Sequence, residues 1–221
     1  MAITESELLF KYTGEGSTTD PSLSLGGTLG TNTIPSGVAN NIFDDVTGDE
    51  AESGAMHFRA IGIHNSNTTH IWMNTSIRID GYVRASNTPD VMYFGVEKPS
   101  GTGGSPEGTI GTIGSETIEP TWVSWTEEGT PSAWVQMSGK DYDGSIGPDD
   151  WCGIWLKRSI PPNAEAFSNR AVTIRVRGET SASPLQTIEA VFRLVWTKDR
   201  FEITRISGSP DLEAVLEAVV S

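Results

Sequence analysis

Residues 70–80, HIWMNTSIRID, constrain the fold more than any other stretch of this 221-residue chain. On an extended backbone Ile71, Met73, Ile77 and Ile79 fall on one side, and Trp72, Asn74, Ser76, Arg78 and Asp80 on the other. A strand that is dry on one face needs a second layer to cover it. Further strand-like segments follow at spacings typical of a sandwich or barrel: HFRAIGIH (57–64), VMYFGVE (91–97), WVSW (122–125), AWVQM (133–137) and WCGIWLKR (151–158). AVTIRVRGE (171–179) sets Val172, Ile174 and Val176 inward and Thr173, Arg175 and Arg177 outward. IEAVFRLVW (188–196) and FEITRI (201–206), joined by TKDR, read as a hairpin, and NSNTT (65–69) has the composition of a second hairpin turn. The chain has 24 glycines and 12 prolines and no long helical periodicity, so it reads as all-β. The expected fold is an antiparallel β-sandwich, jelly-roll-like or immunoglobulin-like, over residues 42–208.

The two ends look different. Residues 11–41 are rich in Gly, Ser, Thr and Asn, and residues 1–41 are expected to form an extended N-terminal arm. Its isolated apolar residues Leu23, Leu25 and Leu29 are candidate interface residues. At the other end SPDLEAVLEAVVS (209–221) carries a helix start, with Ser209 as N-cap and Pro210 at the first helical position. Leu212, Val215, Leu216 and Val219 form a stripe along one face of that helix. A helix this short is marginal alone, so the stripe is a second candidate interface.

A net charge of −14, from 15 basic and 29 acidic residues, disfavours nucleic acid and anionic membrane as partners. No apolar run approaches the ~20 residues of a membrane span. MAITESELLF lacks the basic start and apolar run of a secretory signal, so synthesis in a cytoplasm is expected. Cys152 is the only cysteine, which rules out an internal disulfide.

No constellation advertises chemistry. Asp44, Asp45, Asp49, Glu50 and Glu52 crowd one stretch, but their adjacent pairs do not match the alternating spacing of a calcium loop. Five crowded carboxylates also lack the apolar surroundings that separate a catalytic acid from its base. The stretch reads as a turn, or one helical turn over 49–52 closed by Gly54. His64 and His70 flank NSNTT as possible cross-strand neighbours, with no third ligand beside them. The glycine-rich GTGGSPEGTIGTIG (101–114) has no phosphate-loop lysine and reads as a surface excursion. Trp151 and Trp155 share one strand face, as core, as interface, or as a glycan platform. No cofactor, metal or catalytic residue is assigned, and no enzyme activity is expected.

Two segments carry a resemblance. GVANNIFDDVTGDEAESGAMHFRAIGIHNSN holds Phe43-Asp44-Asp45-Val46, Gly48-x-Glu50-Ala51, Gly54, and a strand with Phe58-Arg59 ending at Asn65. WCGIWLKRSIPPNAEAFSNRAVTIRVRGET follows later, and the two together span roughly 37–180. They resemble segments of structural proteins of tailed bacteriophages. The resemblance implies a non-enzymatic virion component, made in the host cytoplasm, most simply a capsid decoration or cement protein. Its implied partners are copies of itself and other virion proteins, above all the major capsid protein. A tail, neck or baseplate component is the alternative within the virion, and a carbohydrate- or receptor-binding module the alternative outside that class.

Overall fold

Alternating segments pair into two antiparallel sheets in the computed structural model, which describes residues 2–14, 19–80, 90–101, 106–129, 134–164 and 170–196. The strands are β1 (Leu8–Thr13), β2 (Gly26–Gly27), β3 (Leu29–Thr33), β4 (Ala55–Asn65), β5 (Trp72–Asp80), β6 (Val91–Glu97), β7 (Ile110–Thr112), β8 (Thr126–Glu127), β9 (Val135–Gln136), β10 (Asp150–Ile160), β11 (Arg170–Thr180) and β12 (Gln186–Trp196). One sheet has the order β3-β1-β4-β10-β6-β8, the other β12-β11-β5-β9, and β2 pairs with β7 as a small third ladder. The β-sandwich expected from the alternation is the fold observed.

The main core lies between the two large sheets. Ile61 and Ile63 of β4, Cys152, Ile154 and Leu156 of β10, and Val172, Ile174 and Val176 of β11 meet there, all at 1% exposure or less. A second cluster covers the opposite face of the six-stranded sheet. It joins Phe58, Ala60, Trp151 and Trp155 to Ile110 and Ile113, with Leu25, Leu29, Val123 and Trp125 around them. β4 and β10 are therefore buried on both faces. Ile110 and Ile113 belong to the stretch expected as a surface excursion, which instead contributes β7 to this cover.

The N-terminal segment is not a separate arm, and no domain boundary falls at residue 41. β1 lies between β3 and β4, with Phe10 opposite Ile63 and Tyr12 opposite Ile61. Leu8, Phe10 and Tyr12 are buried, and Phe10 stacks on Phe192 of the facing sheet at 4.7 Å between ring centroids. The reason is in LLFKYT itself, whose period-two pattern places three large side chains in the core ahead of the polar stretch. The 65–71 connection also departs from expectation. β4 and β5 belong to different sheets, so NSNTT crosses between layers and is no hairpin turn. Asn67 organises it, its Oδ1 accepting from the backbone N–H groups of Thr69 and His70 at 2.9 and 2.7 Å.

WVSW forms no strand; β8 begins just after it. The hairpin partner FEITRI and the helix at 209–221, with Leu212, Val215, Leu216 and Val219, lie outside the described residues. No helix among the described residues is long and apolar enough to cross a membrane.

Phe10→Ala should lower unfolding free energy by about 3–5 kcal/mol, the usual cost of emptying a buried aromatic site. Urea denaturation measures it, and a loss below about 1 kcal/mol, typical of exposed positions, would return the segment to the status of an arm.

Candidate functional site

Three groups of polar side chains stand out, and two of them are closed inside the fold. The first plugs one end of the main core, where β4 and β10 turn His57, Arg59 and Arg158 inward. Arg158 is 1% exposed; it donates to the Asp44 carbonyl at 2.7 Å and meets His57 Nδ1 at 2.7 Å. A guanidinium only donates, so Nδ1 accepts and the ring proton sits on Nε2, 2.9 Å from Glu50 Oε1. Arg59, fully buried, reaches Glu116 and the Phe58 carbonyl, and Phe43 lies against both guanidinium groups at 5.8 and 4.8 Å. Burial pushes Arg158 down to about 10. Burial first, and Arg158 second, hold His57 below its ordinary value against the pull of Glu50, so the ring is neutral at pH 7.

The acidic stretch is organised from beneath by this plug. Gly48–Ser53 forms a helical turn, α1, with Thr47 as N-cap. Thr47 and Glu50 exchange capping bonds, and Gly54 closes the turn at φ 81°. The single turn expected around 49–52 is present. Among the described residues no three His, Cys, Asp or Glu side chains converge as a metal site would require.

The second group lies under the cover of the six-stranded sheet. Glu97, 6% exposed, accepts from Trp155 Nε1 at 2.6 Å, Trp122 Nε1 at 2.9 Å and the Gly111 amide at 2.8 Å. A buried carboxylate is tolerable only with such donors. They fix the Trp122 and Trp155 rings edge to face at 6.1 Å. Trp151 and Trp155 are thus core, and the glycan platform considered for that pair is not formed.

The third group is open. Inward-facing Ile77, Ile79, Val172, Ile174, Val176, Phe192 and Leu194 leave the alternate residues of β5, β11 and β12 on the outer face of the four-stranded sheet. Register places Arg175 between Arg78 and Val191, and Arg177 between Ser76 and Glu189. Arg78 and Arg175, facing each other, both pair with Asp80, and Arg175 also reaches Glu189 at 2.9 Å. Arg78 Nε lies 2.9 Å from Asp80 Oδ1, near enough for an ion pair but off the line of a hydrogen bond. The Trp134 ring carries the Arg78 and Arg177 guanidinium carbons at 4.7 and 3.9 Å from its centroid. Arg177 and Arg193 are exposed and have no carboxylate partner among the described residues. A hollow of about 290 Å³ beside Arg177 is lined by Asn74, Gly178, Glu179 and Thr187.

Trp72 was expected on the wet side of β5 but is fully buried. The ladder to β11 shifts between Arg177 and Glu179, and Asn74 takes φ 51°, so an extra residue reverses the alternation before Thr75. Gly178 makes room, since a Cβ there would lie 2.5 Å from Trp72 Nε1.

Of the residues expected at interfaces, Leu25 and Leu29 pack on the chain's own second cluster, while Leu23 is 59% exposed. The outward arginines of β11 were legible; their assembly with Arg78, Arg193 and Trp134 needs the strand order, which no local pattern encodes.

No family model matches the chain, and no curated protein matches it. Among solved structures it is similar to the ASH / PapD-like domain of human CEP192 (PapD-like domain 7) at 11% identity and TM-score 0.30, covering 72% of this chain and 80% of that one. It is also similar to CfaE, the adhesive subunit of CFA/I fimbria of enterotoxigenic Escherichia coli, at 11% identity and TM-score 0.31, over 68% of this chain and 42% of that one. Likeness at this level bears on neither partner nor activity.

The neutral histidines make stability pH-dependent. His57 and His64 both sit below the ordinary value of 6.5, chiefly through burial, so the unfolded chain binds more protons as pH falls through 6.5. Their contribution is complete above that pH and is lost on the way down to their folded values. The melting temperature should drop between pH 7.5 and 5.5, and His57→Gln should shallow the drop. An unchanged slope would mean that His57 takes up its proton as readily in the folded chain as in the unfolded one, and a steeper drop that it is charged in the folded state.

Proposed function

We propose that the chain is a non-enzymatic structural subunit of a tailed-phage virion, a decoration or cement protein that binds the capsid lattice. The carrying observation is how its polar groups are distributed. His57, Arg59, Arg158 and Glu97 are buried and held by internal partners, and burial pushes the Cys152 thiol up to about 12, far from a reactive thiolate. The charged groups that do reach solvent on the four-stranded sheet lie on an open face, which suits a protein surface better than a small substrate. The sequence resemblance over 37–180 supplies the virion context. Many such contacts on a repeating lattice add up by avidity, with no single one strong.

Purified full-length chain added to particles that lack it should bind to saturation at a copy number set by the symmetry of the shell. It should also raise the temperature at which the genome escapes. Quantitative mass spectrometry and a heat-release assay measure these. A few copies per particle would move the chain to the tail, neck or baseplate, and its absence from purified particles would remove the reading.

A further inference from the structure

We infer that the arginine face of the four-stranded sheet docks on the acidic shoulder around α1 of a second copy of this chain. The inference rests on the structural-subunit reading and adds a partner and a surface to it. Among the described residues the face carries four arginines, Arg78, Arg175, Arg177 and Arg193, against three carboxylates, Asp80, Glu179 and Glu189, in a chain of net charge −14. Arg78 and Arg175 already hold Asp80 and Glu189, whereas Arg177 and Arg193 have no carboxylate among the described residues. Arg193 stands four positions along β12 from Glu189, the neighbour of Arg177, so the two arginines are about 14 Å apart at ~3.4 Å per residue. No single small anion spans that gap. A surface with several carboxylates does.

The shoulder is such a surface. Asp44, Asp49 and Glu52 are exposed there, and the Asp49 and Glu52 side chains have no ion pair with described residues. They stand three apart in α1 and so emerge as neighbours. The turn beneath them is fixed by the Thr47–Glu50 capping bonds, the His57–Glu50 bond and the Arg158 bond to the Asp44 carbonyl. Its carboxylates are held ready, with little ordering cost on contact. Each surface also offers apolar area to bury, Val191 at 45% exposure on the face and Met56 at 49% beside the shoulder. The two surfaces differ, so the contact is heterologous, and a joined pair keeps one free shoulder on one copy and one free face on the other. It propagates as a ring or an array.

Sedimentation velocity on the full chain tests this at low and high salt. Wild type should self-associate at low salt and dissociate as salt screens the contact. Arg177→Glu with Arg193→Glu should weaken association by about tenfold or more, and so should Asp49→Arg with Glu52→Arg. Both pairs lie at exposed positions, so melting temperatures should stay near wild type and separate lost contact from lost fold. Mixing the two variants should restore association, because the reversed face of one meets the reversed shoulder of the other. Association of the face variant at wild-type strength, failure of the mixture, or a wild type that stays monomeric would each overturn the inference. A monomer that still saturates particle shells would do so while leaving the structural-subunit reading in place.

Discussion

Everything in this structure hangs on the pairing of β4 with β10, residue for residue from Ala55–Ile160 to Asn65–Asp150. Each strand is buried on both faces, so this pair is at once the floor of the sandwich core and the base of the outer tryptophan layer. Burying a large apolar side chain stabilises by roughly 1.5–3 kcal/mol, and the pair does so with Ile61, Ile63, Ile154 and Leu156 on the inner side and Phe58, Trp151 and Trp155 on the outer. The six-stranded sheet therefore has no free central face to offer, which leaves the outer face of the four-stranded sheet and the ends as the accessible surfaces.

The charges sort the same way. On the inner side of β4 and β10, Arg59 and Arg158 sit at the end of the core, where apolar strands give way to the 43–50 segment. Removing one partner of a buried charge leaves the other stranded, typically at a cost of about 3–5 kcal/mol. These arginines therefore act as rivets, and the acidic shoulder they hold is a rigid projection instead of a loose loop. The exposed arginines of β11 and β12 are a different population. Surface pairs are individually worth about 0–1 kcal/mol and are screened by salt, which suits a contact repeated across many copies better than a tight binary complex.

Much of the fold is legible in the amino-acid order, and the failures have physical causes. β11 is readable because Val172, Ile174 and Val176 alternate without interruption, and α1 because Gly54 stops a short turn over 49–52; its start at Thr47 and the brace at Glu50 appear only in the structure. Trp72 is not readable, because the extra residue near Asn74 inverts the alternation and periodicity has no sign for such a step. β1 is legible only if LLFKYT is read apart from the glycine- and serine-rich stretch behind it. Its Leu8, Phe10 and Tyr12 show the pattern that the composition of 11–41 hides. The arginine face is a property of register. Arg78 and Arg177, far apart in the chain, meet over Trp134 only because β5 and β11 are neighbours.

Hydroxyl-radical footprinting, read residue by residue on the free and the assembled chain, distinguishes the four-stranded sheet from the cover as the assembling face. Recognition through the four-stranded sheet predicts that Trp134 and Val191 are oxidised in the free chain and protected on assembly. Trp151 and Trp155, under the cover, should stay unreactive in both states. Unchanged labelling of Trp134 and Val191 on assembly, with new protection at Trp122 and Trp125 on the cover, would contradict it.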